Sequence, residues 1–305
     1  MTAASYRTWG IVCAILGVLA FSFRPILIKL SYAAGEAAAH PVTPNTLLFL
    51  RMALSLPFFL VIAWWLRNQQ PALARRDWLA VAGLGFLGYY AASFLDFIGL
   101  QYVGAGVGRL ILFLYPTMVL TLSFFFLHKR PTRREVIALI MSYAGIALVV
   151  SDQVGTSREG KLFLLGVLLV FASALCYAVY LVAGSQVVKR IGSMRFTAYS
   201  MAVATLPALA QFFALEPMSS LALPANVWTY AIILATVSTV LPLFLQAEAL
   251  KRIGANHFAL IGAVGPVSVA AASALGLDEP LTWLQAAGGA LVIFGVLLVS
   301  LKPKS

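Results

Sequence analysis

Charged residues are scarce in this sequence. Asp, Glu, Lys and Arg make up 10% of its 305 residues, whereas hydrophobic residues make up 62%. Because a soluble domain carries roughly 25% charged residues, this composition excludes a soluble globular fold. The apolar residues occur in runs of about 20, the length that a helix needs to cross a bilayer core of roughly 30 Å. The sequence therefore predicts an all-α integral membrane protein.

Cysteine, histidine and acidic residues are also few, with 2, 3 and 10 copies respectively. Cys13 and Cys176 both lie inside apolar runs, which excludes a disulfide framework and a cysteine metal site. The acids are scattered, so no clustered set for acid–base or metal chemistry is present. We therefore expect no enzyme, no metal and no cofactor. A membrane-embedded enzyme acting on lipid-linked substrates is the weakest alternative.

The net charge of +11 would suggest nucleic-acid binding in a soluble protein. Here the cations lie in short segments between apolar runs, where they indicate orientation instead, and no nucleic-acid partner is expected. The apolar run that follows Arg7 and Trp9 is too long for a cleavable signal and is predicted to be the first span. Ten spans are predicted, at 9–32, 45–66, 77–99, 104–127, 133–151, 161–187, 194–214, 226–250, 254–277 and 281–301.

The distribution of Lys and Arg between these spans predicts the topology. If the N-terminus is cytoplasmic, the inner segments carry fifteen cations and the outer segments carry two, Arg158 and Lys161. Such an excess over short loops is typical of the cytoplasmic side. We therefore expect both termini in the cytoplasm of a multi-pass protein, in a bacterial inner membrane.

The chain contains an internal repeat. Residues 94–149 align without a gap on residues 244–299, with fifteen identical positions. The matches include the pairs Gly104/Gly254, Pro116/Pro266, Thr132/Thr282 and Gly145/Gly295. Because each copy has five predicted spans, the second copy must be inverted, and the cations at 128–130 indeed align with acids at 278–279. We predict two inverted five-helix repeats, 1–152 and 153–305, an architecture typical of secondary transporters.

The second copy carries motifs of a known family. They comprise a short hairpin, a proline within the next span, an acidic tight loop and glycines in the last span: Ala249, Leu250, Gly254, Ala255, Pro266, Asp278-Glu279-Pro280-Leu281-Thr282, Gly288 and Gly295. By this pattern nearly the whole chain resembles the drug/metabolite transporter superfamily, specifically its EamA type. The first copy departs from the pattern at Lys129-Arg130, where an acid is usual. The resemblance implies ten helices, a central cavity lined by helices 1–4 and 6–9, and export of small metabolites, often amino acids.

Ionisable residues inside the predicted spans are candidates for function, because burying them in a membrane is costly. Arg24 lies too deep to reach the surface, and Arg51 lies in the same outer half. Since an Arg can hold a carboxylate through two hydrogen bonds, we predict that both bind an anionic group of the solute. The alternative is that they line a wet vestibule without binding anything specific.

The remaining ionisable residues have structural alternatives. Asp96 and Arg109 end and begin adjacent spans, so they are predicted to form an ion pair that closes the hairpin or to act in gating. Glu248 is a candidate for proton coupling, but it also fits a helix-surface pair with Lys251 or Arg252. His257 could relay a proton or lie at the interface as an ordinary histidine.

Prolines and tyrosines mark the expected cavity. Pro25, Pro116 and Pro266 are predicted to interrupt their helices, and paired interruptions in the two halves point to a transporter site or to hinges. Tyrosines in the centres of spans 3 and 6 are predicted to line the solute site, with simple packing as the alternative. These tyrosines are Tyr89, Tyr90, Tyr177 and Tyr180.

Taken together, the sequence predicts a secondary transporter that exports small carboxylate-bearing metabolites, amino acids or related compounds, by alternating access. Its expected partners are a small-molecule solute and the lipid bilayer, and it is expected to be a monomer or a homodimer. A proton-coupled efflux transporter for cationic compounds is the main alternative. That function would favour an unpaired acid in helix 1, where this sequence has Arg24 and Lys29.

Overall fold

A computed structural model describes residues 3–67, 72–127, 132–156, 160–262, 264–277 and 282–300. These residues form helices and short connections, and none of them lies in a β-strand. The α-helices are α1 (Ala3–Ser22), α2 (Arg24–Ala37), α3 (Pro44–Arg67), α4 (Arg75–Gly85), α5 (Ala92–Tyr102), α6 (Ala105–Leu112), α7 (Tyr115–Leu127), α8 (Arg133–Thr156), α9 (Gly160–Ile191), α10 (Ser193–Leu215), α11 (Ala225–Ala235), α12 (Leu241–Gly262), α13 (Val264–Gly276) and α14 (Trp283–Ser300). The prediction of an all-α fold is confirmed.

Most of these helices are long and apolar enough to cross a membrane. Within the described part of the chain, eight segments qualify by length and composition, and two shorter apolar helices cover Val264–Ala274 and Trp283–Leu298. Large apolar side chains cover the outer surface; Trp64, for example, is 68% exposed. Such a surface is stable only in lipid, and the protein is a multi-pass integral membrane protein.

Two helices of the described chain are interrupted next to a proline. α1 ends at Ser22 and α2 begins at Arg24, just before Pro25. Likewise α6 ends at Leu112 before α7, which contains Pro116. Pro266 lies in α13, and residue 263, which separates α13 from α12, lies outside the described residues. Proline is tolerated in the first turn of a helix because the N–H groups there have no intrahelical partner. Each interruption leaves backbone groups that can face a cavity.

The predicted turn between the spans 226–250 and 254–277 is wrong. The structure continues α12 through this region as one helix, Leu241–Gly262. In the first copy the turn exists, because Val103 and Gly104 both adopt extended conformations between α5 and α6. In the second copy Glu248 pairs with Arg252 one turn later, which stabilises a continuous helix. The acidic loop at 278–280 and its basic counterpart at 128–130 lie outside the described residues.

Two π-helical turns occur at corresponding positions of the repeat. The first, Phe86–Ala91, joins α4 to α5, and the second, Thr236–Val240, joins α11 to α12. They begin 150 residues apart, which is the offset of the sequence repeat. π-turns are rare and are frequent at functional sites. The repeat therefore extends to a backbone irregularity that the sequence alignment does not reveal.

The packing of α8 against α14 follows the same internal symmetry. A Cβ atom at Gly145 would lie 2.5 Å from the carbonyl oxygen of Gly288, and a Cβ at Gly288 would lie 2.5 Å from that of Gly145. A Cβ at Gly295 would lie 2.7 Å from the carbonyl oxygen of Ala138. Gly145 and Gly295 occupy equivalent positions of the repeat, as do Ala138 and Gly288. The same close contact between α8 and α14 therefore occurs at two symmetry-related places. Small residues permit this close approach of the backbones.

This packing makes a stability prediction. We expect Gly288→Ala to destabilise the protein by about 1–3 kcal/mol, because its new methyl group would meet backbone that cannot rotate away. Gly289→Ala is the matched control, since its Cβ would meet only the Leu110 side chain, at 3.4 and 3.5 Å. Thermal unfolding of the purified protein in detergent measures both. Equal melting temperatures for the two variants would contradict the proposed close contact.

Candidate functional site

A cavity of about 170 Å³ lies between the two halves of the chain. This volume has room for on the order of ten water molecules, or for a small organic solute. Its wall is mainly apolar and aromatic and contains three cations. The lining residues are Val18, Phe21, Arg24, Arg51, Gly88, Tyr89, Ala92, Ser93, Arg109, Leu112, Phe113, Tyr115, Ser173, Ala174, Tyr177, Met201, Ser238, Thr239, Pro242, Leu243, Gln246, Phe258 and Gly262.

The two repeats contribute corresponding positions to this wall. Seven pairs of lining residues are separated by 150 positions: Arg24/Ala174, Arg51/Met201, Gly88/Ser238, Tyr89/Thr239, Ala92/Pro242, Ser93/Leu243 and Leu112/Gly262. The two π-helical turns together supply two of these pairs, Gly88/Ser238 and Tyr89/Thr239. The cavity therefore lies around the internal symmetry axis, where inverted-repeat transporters bind their solutes.

Arg24 is neutralised by an acid. It is the first residue of α2, and its Nη2 donates to Oδ2 of Asp96 at 2.9 Å. The side chains are 13% and 2% exposed, so the ion pair is buried. Asp96 Oδ1 and Arg24 Nε have no hydrogen-bond partner. The prediction that Asp96 pairs with Arg109 is therefore wrong, because the start of α2 brings Arg24 to this carboxylate.

Arg51 is held by hydroxyl groups from both repeats. Its Nη1 donates to Ser93 Oγ at 2.7 Å, and its Nε donates to Thr239 Oγ1 at 3.0 Å. The residue is 3% exposed, and its guanidinium carbon lies 5.8 Å from the centre of the Phe97 ring. The charged side chain of Arg51 is thus buried in the cavity wall, and its hydrogen-bond partners there are uncharged hydroxyl groups.

Arg109 is another buried cation with a hydroxyl partner, and it lies beside the break between α1 and α2. Its Nη2 donates to Ser22 Oγ at 3.2 Å, in the last turn of α1. Its guanidinium carbon lies 5.0 Å from the centre of the Phe21 ring, and its Nε has no partner. A Cβ at Gly265 would lie 3.2 Å from the same Nη2 atom, so Arg109 also contacts the first turn of α13. Arg109 is a cavity residue, not a loop-closing one.

The cavity therefore carries excess positive charge. Arg24, Arg51 and Arg109 all line it, and Asp96 neutralises the first of them. Neither Arg51 nor Arg109 forms an ion pair with a carboxylate among the described residues. Buried charges of this kind are stable only with compensating polar groups or a counter-charge.

The predicted tyrosines divide into two groups. Tyr89 and Tyr177 line the cavity, whereas Tyr90 and Tyr180 pack behind its wall. Tyr180 donates to the Tyr89 hydroxyl at 3.0 Å and so supports a lining residue. Tyr115 was not predicted, although it lines the cavity with its ring centre 5.4 Å from that of Tyr177. Its position directly before Pro116 is the signal that could have identified it.

Tyr90 belongs to a chain of hydrogen bonds between the repeats. Its hydroxyl donates to Gln211 Oε1 at 2.5 Å, and Gln211 Nε2 donates to Asn45 Oδ1 at 3.0 Å. Glu216 then accepts from Asn45 Nδ2 at 3.2 Å and from Thr43 Oγ1 at 2.7 Å. This chain fixes the start of α3 against the end of α10.

The two candidates for proton coupling lie in α12. Glu248 Oε1 accepts from Arg252 Nε at 2.6 Å, which is the helix-surface pair that the sequence offered as an alternative. Glu248 does not line the cavity. His257 lies within the helix, but its side chain is outside what the structure describes.

Comparison with known proteins agrees with this architecture. The model of the EamA-like transporter family matches the chain twice, at residues 8–151 and 164–301. A Bacillus subtilis protein named as the uncharacterized transporter YcbK is 29% identical over 291 residues, covering 93% of this chain and 90% of its own. An uncharacterized transporter of Synechocystis is 25% identical, with coverages of 97% and 94%. A protein of known crystal structure has the same fold, with a TM-score of 0.63, 19% identity and coverages of 96% and 97%.

These findings define the class of protein first and its family second. Two copies of one helical unit enclosing a cavity, with named relatives that are transporters, define a membrane transporter. The chain belongs to the EamA-like transporter family, and the resemblance that the sequence motifs indicated is confirmed.

Proposed function

We propose that the protein exports small carboxylate-bearing metabolites, amino acids or related compounds, by alternating access between its two repeats. One observation carries this proposal: two buried guanidinium groups, those of Arg51 and Arg109, face the cavity without an acidic partner among the described residues. A carboxylate of the solute would supply the missing negative charge.

The wall chemistry supports a solute with an apolar part. The guanidinium of Arg51 leaves donors beyond those used by Ser93 and Thr239, so it can hold a carboxylate through further hydrogen bonds. Around it stand the rings of Tyr89 and Tyr177, which offer stacking surface and hydroxyl groups. An amino acid or a small organic acid matches this combination.

Efflux of cationic compounds is the second candidate, and the cavity disfavours it. Asp96 is the nearest acid, but its side chain is 2% exposed and pairs with Arg24. A cationic solute would have to displace Arg24 and would still meet Arg51 and Arg109 in the wall. Like charges in a buried site are repelled strongly.

Counterflow in proteoliposomes tests the proposal. Vesicles preloaded with neutral amino acids, acidic amino acids, organic acids or cationic dyes are assayed for uptake of the corresponding labelled compound. We expect acceleration with the zwitterionic or anionic compounds and none with the dyes. Acceleration by cationic dyes alone would refute the carboxylate proposal and establish the second candidate.

Thr239 provides a test of how Arg51 is positioned. We expect Thr239→Val to raise the KM for a transported carboxylate about fivefold to tenfold, because Arg51 Nε loses the acceptor at 3.0 Å. Thr236→Val is the matched control in the same π-helical turn, since the Thr236 hydroxyl donates only to the Ile232 carbonyl. Initial rates of exchange against solute concentration measure both. An equal KM in the two variants would exclude this positioning role.

A further inference from the structure

A second concave surface lies away from the cavity, between α4 and α9. It is a groove of about 360 Å³. Its walls are apolar along most of their length and become polar at one end: Leu79, Ala80, Gly83, Leu84, Ala183 and Val187, then Gln186, Arg76 and Arg190. Leu79 is 67% exposed. In a membrane protein, an open apolar groove of this kind faces the lipid.

The floor of the groove is well packed. Behind it lies a cluster of buried side chains from α4, α9 and α10: Val81, Tyr180, Val187, Ile191 and Phe196. A Cβ atom at Gly83 would meet no atom within 4 Å. The groove therefore has open space beside Gly83, where any other residue would place a side chain.

Positive charge is concentrated at one end of the groove. α4 begins at Arg75 and α9 ends at Ile191, so their ends bring four exposed cations together: Arg75, Arg76, Lys189 and Arg190. Of the described residues that line or flank this end, Asp77 is the single acid. Its Oδ1 accepts from Arg190 Nε at 3.0 Å and from Nη2 at 2.7 Å. The pair orients Arg190 toward the groove and leaves three further cations without an acid.

This end of the groove has the features of a bilayer surface. Trp78 is 44% exposed and stacks on Tyr199 with ring centres 5.1 Å apart, and amphipathic rings are enriched at headgroup level. The distribution of Lys and Arg between the predicted spans predicts that this end of the groove lies on the cytoplasmic side. There, basic pockets between membrane helices are suited to anionic lipid headgroups.

We propose that the groove binds an anionic phospholipid from the surrounding bilayer. The phosphate group lies between Arg76 and Arg190, and one acyl chain follows the apolar walls past Leu79 and Gly83. A guanidinium group binds phosphate through paired hydrogen bonds. The complementarity of charge selects an anionic lipid over a zwitterionic one, whose choline group would meet the same cations. This site is independent of the solute.

Native mass spectrometry tests the proposal on the full chain in detergent, with palmitoyl-oleoyl phosphatidylglycerol or phosphatidylcholine added. We expect retention of phosphatidylglycerol and not of phosphatidylcholine. The double variant Arg76→Gln with Arg190→Gln should weaken binding of phosphatidylglycerol at least about tenfold, since each cation near an anionic headgroup contributes to the affinity. The matched control removes the same charge elsewhere on the predicted cytoplasmic side: Arg133→Gln with Arg134→Gln, at the start of α8.

A second variant separates the groove from general surface charge. Gly83→Leu keeps every cation and places a side chain within the groove, where open space accepts it. We expect it to abolish retention of phosphatidylglycerol while the protein stays monodisperse. The proposal is overturned if Gly83→Leu binds the lipid as the unmodified protein does, or if the control pair at 133 and 134 weakens binding equally.

Discussion

Arg51→Gln is expected to raise the KM for a transported carboxylate about tenfold to a hundredfold. The variant removes one charge-assisted hydrogen-bonding group from the cavity wall, and such a bond contributes about 1.5–3 kcal/mol. Glutamine places its amide nitrogen near the position of Arg51 Nε, so Thr239 keeps a donor and the change to the wall is small. Arg109→Gln should change the KM in the same direction. Counterflow rates in proteoliposomes, measured over a range of solute concentrations, give the values.

Arg67→Gln is the matched control for this experiment. Arg67 is the last residue of the helix that carries Arg51, and it is exposed. The same chemical change there removes an equal charge from the molecule but leaves the cavity intact. If Arg67→Gln lowers transport as much as Arg51→Gln, then net charge and not the cavity governs the rate. Unchanged exchange in Arg51→Gln would rule out carboxylate binding by this residue.

Asp96→Asn is expected to destabilise the protein by about 3–5 kcal/mol. The substitution leaves Arg24 buried without its carboxylate, and removal of one partner of a buried pair costs this much. Two more guanidinium groups, those of Arg51 and Arg109, line the same cavity, and the substitution removes the negative charge that partly offsets the repulsion among the three cations. Thermal unfolding in detergent and the yield of monodisperse protein measure the effect.

Two further variants make this prediction specific. The double substitution Arg24→Gln with Asp96→Asn removes both charges and should recover much of the lost stability. Asp77→Asn is the control at an exposed pair, because the Arg190 side chain is 40% exposed, and such pairs contribute about 0–1 kcal/mol. If Asp96→Asn is no less stable than Asp77→Asn, the buried pair does not support the fold.

The sequence predicted the features that depend on local pattern. Runs of apolar residues predicted the helices, and the offset of 150 residues predicted the two repeats. The prolines predicted the interruptions near Phe23 and before Tyr115, because proline cannot continue a hydrogen-bonded helix. The cost of burying charge identified Arg24 and Arg51 as unusual before any contact was known.

The features that depend on packing between distant helices could not be predicted. Asp96 lies thirteen residues before Arg109 but 72 after Arg24, and only the arrangement of helices decides which cation reaches it. The two π-turns have no sequence signature, because the residues in them differ completely. The continuity of α12 was missed because the repeat suggested a turn at Gly254, whereas the pair of Glu248 with Arg252 supports a continuous helix.

The seven matched pairs of cavity residues have a consequence for how the two copies have diverged. At the positions of Arg24 and Arg51 the second repeat has Ala174 and Met201, and the third cation, Arg109, also belongs to the first repeat. Among the described residues that line the cavity, those of the second repeat include none that is charged. A chimera built from two second repeats would therefore enclose a neutral cavity, and one built from two first repeats would double its positive charge. The repeat symmetry survives in the backbone, while the charged side chains of the described cavity wall all belong to the first repeat.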